Sequence, residues 1–242
     1  MKISLLFSLA ALVSLSTVYA KKKPDATIPD TSKPAATKTA EAPSTEAKHE
    51  TPPVKTPDEA MKLLHEGNQR FVKSSLQTVA PASELRTKLA KSQSPFAIIV
   101  GCADSRTSPE LLFDQNLGDL FVVRCAGELV SNYDLGSIEY AVEHLGSRLI
   151  VVLGHANCGA VRAAVAGGKA PGHINDLVEA IQPAVKAAKG KGGDLLDESV
   201  KENARQIATK VREDMKTLHV EGEVRVVPAY YNMTTGEVTT VE

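Results

Sequence analysis

The sequence predicts an α/β protein of three layers. A mostly parallel central β-sheet, about four parallel strands plus an antiparallel edge strand, is covered by helices. Three observations carry that prediction. Short, continuously apolar runs, "PFAIIVG", "DLFVVR" and "RLIVVLGH", alternate along the chain with helical stretches. None of these runs shows the in-out alternation of a half-exposed strand, so each must be covered on both faces, the usual condition of a parallel sheet. The chain also closes on "EVRVVPAYYNMTTGEVTTVE", two strand-like segments around a turn at residues 235–236, and so tight a link forces antiparallel pairing.

The elements follow in order. "TPDEAMKLLHEGNQRFVKS" opens the folded part as a helix: Thr56 can cap it, Pro57 suits its first position, and Glu59 completes a capping box. Ala60, Leu63, Leu64 and Phe71 recur there at helical spacing. "PFAIIVGCADSR" contains the first buried strand, and "SPELLF" restarts a helix with Ser108 as cap and Pro109 behind it. "DLFVVRCAG" holds a second strand, "LGSIEYAVEHLG" a helix closed by Gly146, and "RLIVVLGH" a third strand. That strand runs into "ANCGAVRAAVAGG", a helix of small residues. Asp176 and Glu179 open another helix, and "KGKGG" separates it from a long one that ends about Leu218. No internal repeat is visible.

The N-terminal residues stand apart. Lys2, the apolar run "ISLLFSLAALVSLS" and then "TVYA" have the layout of a secretory signal cut after Ala20, so residues 1–20 are read as a signal peptide. The run falls short of the roughly 20 apolar residues a membrane span needs, and an uncleaved anchor is the alternative reading. Residues 21–55, rich in Lys, Pro, Ala, Thr and Glu, cannot bury enough surface to offset their ordering entropy and read as a disordered tether. The domain proper is expected over residues 56–242, exported to a periplasmic or extracellular location, with no stable membrane span after processing. At 242 residues, 43% hydrophobic and 24% charged, the chain has the composition of a soluble globular protein. A net charge of −1 and the lack of any Trp argue against nucleic acid or an anionic membrane as the main partner.

Two strand ends carry metal-type side chains. The first leads into "CADSR", with Cys102, Asp104 and Arg106; the third ends in "HANC", with His155 and Cys158. In an open α/β sheet, ligands collect beyond the carboxyl ends of the strands, at the point where successive connections diverge. Were these strands neighbours, two thiolates and one imidazole would converge, a donor set suited to Zn²⁺ with a fourth position open. Alone, H-x-x-C is a weak signal that core packing often explains; joined to C-x-D-x-R at a second strand end it becomes a specific one. Cys125 reads as a small buried hydrophobe, and His144 as a residue at a helix C-terminus. His65, His173 and His219 show no sequence partner and read as structural or exposed, and His49 falls in the tether.

With these residues in place, the chain resembles the β-class carbonic anhydrases over residues 56–242. The resemblance rests on "CADSR" and "HANCGAV", supported by "EGNQRF", "GDLFVVR", "SIEYAVEHLG" and "AYYNMTTGEV". It implies one Zn²⁺ per chain on Cys102, His155 and Cys158, with Asp104 and Arg106 as a catalytic pair controlling the fourth position. Asp104 would itself ligate the metal when the pair parts. It implies Gln93 as a substrate contact across a dimer interface, Phe121 and Tyr140 as members of a CO₂ pocket, and a homodimer or dimer of dimers. The implied reaction is reversible hydration of carbon dioxide to bicarbonate and a proton, by attack of zinc-bound hydroxide on CO₂. The chain departs from the family's frequent "RNAGN" at "RCAGE", where Cys125 and Glu128 replace two Asn. Two other readings fit the same motifs: hydrolysis of a related linear substrate such as carbonyl sulfide or carbon disulfide, and a non-catalytic zinc-binding protein. The Asp104–Arg106 pair argues against the second, since storage needs neither an open position nor a gate.

Overall fold

The computed structural model describes residues 54–78 and 83–242. The expected signal peptide and nearly all of the expected tether lie outside the described residues. Helix α1 (Pro57–Val72) and a short α2 (Ser83–Leu89) precede strand β1 (Ala97–Gly101). Then come α3 (Pro109–Leu112), β2 (Leu120–Arg124), a 3-10 turn (Ala126–Glu128), α4 (Asn132–Glu143) and β3 (Leu149–His155). Helices α5 (Gly159–Ala166), α6 (Ile174–Ala188) and α7 (Leu195–Met215) lead to β4 (Arg225–Tyr231) and β5 (Val238–Thr240).

The sheet order is β2-β1-β3-β4-β5, with every pair parallel except β4 and β5, which run antiparallel at the edge. This is the expected architecture. Strands β1 and β3 are buried along their whole length, which is why their sequences are apolar at every position. Alternate side chains still divide between two layers. Ile98, Val100, Ile150 and Val152 face Ile138 and Val142 of α4 and Ala204, Ala208 and Val211 of α7. Ala97, Ile99, Leu149 and Val151 face Ala60 and Leu64 of α1 and Leu112 of α3. Each fully buried Ile, Leu or Val contributes about 1.5–3 kcal/mol relative to exposure, so these two layers hold the sheet.

Local boundaries shift where capping decides them. Helix α4 starts at Asn132, ahead of the expected Leu135, because the Ser131 N–H and hydroxyl both donate to Asp134 Oδ2, at 2.8 and 2.6 Å. Helix α6 starts at Ile174, ahead of Asp176, and α7 ends at Met215, with a turn carrying the chain to Leu218. Among the described residues, no helix is long and apolar enough to cross a membrane.

The connection after β1 leads to β2 on one side, and the connection after β3 leads to β4 on the other. The carboxyl ends of β1 and β3 therefore flank the switch point of the sheet, where a crevice forms. A third apolar cluster lies there, built from Cys102, Cys158, Val161, Ile181, Val200 and Tyr230.

Candidate metal centre

Gly101, the last residue of β1, is in register with Leu153 of β3, and β3 runs on to His155. Cys102 thus leaves one strand where His155 ends its neighbour. Asn157 then takes a left-handed backbone (φ 56°), a conformation Asn tolerates better than most residues, and turns the chain so that Cys158 caps α5. Arg162 Nη2 donates to Asn157 Oδ1 at 2.9 Å and fixes that turn. The outcome is a buried cluster: one donor atom each from Cys102, His155 and Cys158, all within 4.8 Å of one another, with the two sulfurs 4.0 Å apart.

The donors fit a metal ion. His155 Nδ1 lies 2.9 Å from the Ala156 carbonyl, which places the proton on Nδ1 and the lone pair on Nε2. That Nε2 is buried and has no hydrogen-bond partner among the described residues, a costly state for a nitrogen that binds nothing. Donation from the Cys158 thiol holds the Cys102 pKa down against burial, and the same contact together with burial pushes Cys158 up. Burial works to lower the His155 pKa, but Cys102, the Ala156 carbonyl and Glu128 together raise it. Two sulfurs and one imidazole nitrogen match the zinc donor set, with a position to spare.

Asp104 stands beside this cluster and is not one of its members. Arg106 grips it in two parallel bonds, Nε to Oδ1 at 2.8 Å and Nη2 to Oδ2 at 2.6 Å, and its backbone N–H adds a third at 3.0 Å. The guanidinium keeps the Asp104 carboxyl far below the usual carboxylate range. Of the two arrangements expected for this residue, metal ligand or Arg106 partner, the structure has the second. Arg124, at the end of β2, supports the loop from below by donating to the carbonyls of Cys102 (2.8 Å) and Asp104 (2.6 Å).

The remaining candidates do not join the cluster within one chain. Gln93 is exposed ahead of β1. Phe121 packs against the layer of Ile98 and Val100, and Tyr140 is half-exposed on α4 with its ring 5.1 Å from that of His144. Two of the histidines expected to lack partners have them: His65 Nε2 meets Gln69 at 2.8 Å and His173 meets Asp176 at 3.2 Å, both on the surface. Cys125 is half-buried, less enclosed than its apolar setting suggested, and burial raises its pKa. Glu128, by contrast, is completely buried. Nothing local in "RCAGE" announces that, because the enclosing helix α7 comes from far along the chain.

A sheet switch point that gathers two thiols, an imidazole and a paired Asp–Arg defines the class: an open α/β sheet with a three-donor cluster that could hold a metal ion. A family profile described as carbonic anhydrase matches residues 97–238. Carbonic anhydrase 2 of Mycobacterium tuberculosis is 48% identical over 150 residues, 60% of this chain and 72% of that one. The mitochondrial beta carbonic anhydrase 6 of Arabidopsis thaliana is 30% identical over 192 residues, 71% of this chain and 65% of that one. Among solved structures, a Coccomyxa beta-carbonic anhydrase in complex with acetazolamide superposes with a TM-score of 0.57 at 33% identity, covering 64% of this chain and 75% of that one. The chain belongs to the carbonic anhydrase family, in its β class.

Proposed function

We propose that the chain catalyses reversible hydration of carbon dioxide with a zinc ion held by Cys102 Sγ, His155 Nε2 and Cys158 Sγ. The observation that carries this reading is the buried Nε2 of His155, without a hydrogen-bond partner among the described residues, beside two sulfurs at a strand-end crevice. A zinc ion held there would lower the pKa of a bound water to about 7 and so provide a nucleophile at neutral pH. Asp104 cannot take that water's proton, because Arg106 keeps the carboxylate ionised well below neutrality. Its role is to accept a hydrogen bond and so fix which lone pair of the nucleophile faces CO₂. Arg106 and Arg124 hold Asp104 in place from its side chain and its carbonyl respectively.

The exposed Gln93 and Tyr140, and Phe121 on edge strand β2, support a homodimer in which each chain completes its partner's substrate pocket. The test is stopped-flow CO₂ hydration by the zinc-loaded protein, with carbonyl sulfide and carbon disulfide as competing substrates. His155→Ala and Cys158→Ser should lose zinc and activity together. Asp104→Asn and Arg106→Ala should keep zinc and lose about 10²-fold in rate, the cost of a misplaced nucleophile. Parental CO₂ hydration in all four variants would refute the assignment.

Export rests on the pattern of residues 1–20. The mature chain is expected to begin at Lys21, and an intact mass from the native host that still includes those residues would overturn it.

A further inference from the structure

Behind Cys102 the backbone makes a turn that is expensive to hold. Gly127 (φ 72°) and Glu128 (φ 44°) are both left-handed, and Glu has no intrinsic liking for that region. A side chain at Gly127 would be strained by that left-handed φ, and its Cβ, 2.8 Å from Ile181 Cδ1, would also require Ile181 to shift. The turn is stapled to the end of β1: the Cys125 N–H donates to the Gly101 carbonyl (3.1 Å), and the Cys125 carbonyl accepts from Ala103 (3.3 Å). Its product is one directed donor, the Gly127 N–H, which points at Cys102 Sγ from 3.3 Å.

What grips the turn from the other side is Asn203 of α7, 2% exposed. Its Nδ2 spends both hydrogens there, one on the Gly127 carbonyl at 2.8 Å and one on Glu128 Oε1 at 2.9 Å. Glu128 has no exposed surface, and its Oε2 has no hydrogen-bond partner among the described residues. A buried carboxyl that satisfies only one oxygen is a poor stabiliser of the fold. Its one bond orients the Asn203 amide, and that amide holds the Gly127 carbonyl, one peptide beyond the N–H that reaches the sulfur, so it acts on that N–H through the backbone angles of Gly127.

We propose that Asn203 is a positioning residue of the metal centre, acting through the Gly127–Glu128 turn to hold a hydrogen bond on the Cys102 thiolate, with Glu128 as the acceptor that orients it. The inference rests on the zinc reading above. An N–H donated to a metal-bound thiolate draws charge off the sulfur and fixes its direction, and losing such outer-shell support typically weakens metal binding 10–100-fold.

The experiment compares the full chain with Asn203→Ala, Glu128→Ala and Glu128→Gln after loading with zinc or cobalt(II). Asn203→Ala should release zinc to a chelator about tenfold faster. Its cobalt form should show the thiolate charge-transfer band at longer wavelength, since a sulfur without its donor is easier to oxidise. Glu128→Ala should move both readouts the same way. Glu128→Gln should match the parent, because an amide oxygen accepts the same bond. Should Asn203→Ala not fold, the parent loaded with ¹¹³Cd decides: a scalar coupling between cadmium and the Gly127 amide proton supports the inference, and its absence overturns it. Asn203→Ala that melts lower with and without metal alike, while zinc release and the cobalt band stay parental, shows a structural role only and overturns the inference. A parent chain that takes up no metal overturns the zinc reading and this inference together; parental metal behaviour in Asn203→Ala overturns this one alone.

Discussion

Glu128 carries a carboxyl group to a place that water does not reach. Burial is the main force on its pKa and pushes it up to about 8 from 4.5, with the Asn203 hydrogen bond opposing and the Cys102 charge assisting. Between those two values the native chain holds a proton that the unfolded chain has released, so the contribution of this group to stability falls as pH rises. In Glu128→Gln that dependence disappears. Urea unfolding of the zinc-free protein should therefore show the Gln variant gaining on the parent by about 2–4 kcal/mol between pH 5 and pH 8. Parallel pH curves for the two proteins would show that Glu128 is not the buried acid described here. The contrast with the metal ligands explains what could be read early. Cys102, His155 and Cys158 are legible because their residue types and strand-end positions both point to the same chemistry. Glu128 is a charged residue in a short turn, which ordinarily means exposure, and the partner that buries it lies 75 residues away along the chain.

At the scale of elements, tight approaches decide the packing of α1. A Cβ on Gly67 would stand 1.7 Å from the Phe113 carbonyl oxygen and 2.6 Å from its carbon, both backbone atoms that cannot swing aside. The adjacent Asn68, 5% exposed, uses that closeness: its Nδ2 donates to the carbonyls of Leu112 (3.1 Å) and Gly236 (2.9 Å), and its Oδ1 accepts from Val238 (2.9 Å). One amide thereby ties α1 to α3 and to the hairpin between β4 and β5. Gly67→Ala should force these apart and cost about 1–3 kcal/mol, the usual range for overpacking. For a domain of this size that is a fall in melting temperature of roughly 2–4 °C per kcal/mol, and an unchanged melting curve would mean the approach is looser than described. Strands β1 and β3 were legible because burial on both faces writes itself into sequence as an unbroken apolar run. Helix α1 was legible because its cap, proline and apolar spacing agree. Helix α2 was not anticipated, and the reason is physical: none of its residues is buried, so no apolar periodicity marks it. The early start of α4 was missed because its Ser131–Asp134 box is set by polar residues ahead of the apolar run.

At the scale of the molecule, the single chain leaves surfaces that suit a second copy. Tyr133 is 90% exposed, and Leu111, Leu117 and Tyr140 are 49%, 55% and 48% exposed. Among the described residues, strand β2 is one edge of the sheet, bonded to β1 along one side only, and its Phe121 and Val122 are half-buried. Natural proteins seldom leave such an edge uncovered, because its unpaired N–H and C=O groups recruit another strand. The other edge, β5, is only three residues long and offers much less. The same region carries Phe121 and Tyr140, whose proposed substrate contacts the isolated chain does not make with its own Cys102–His155–Cys158 cluster. Covering the region with a copy of itself would protect the edge, bury the tyrosines and deliver those side chains to the partner's metal centre. The protein should accordingly sediment as a dimer, or a dimer of dimers, with an interface above about 1,000 Å². Tyr133→Glu, placed at the most exposed apolar position and away from the metal ligands, should shift the chain toward monomer. Its CO₂ hydration should fall in step, while one zinc per chain is retained. A parent that sediments as a monomer at full specific activity would overturn the shared pocket and leave those aromatic residues without a part in the reaction.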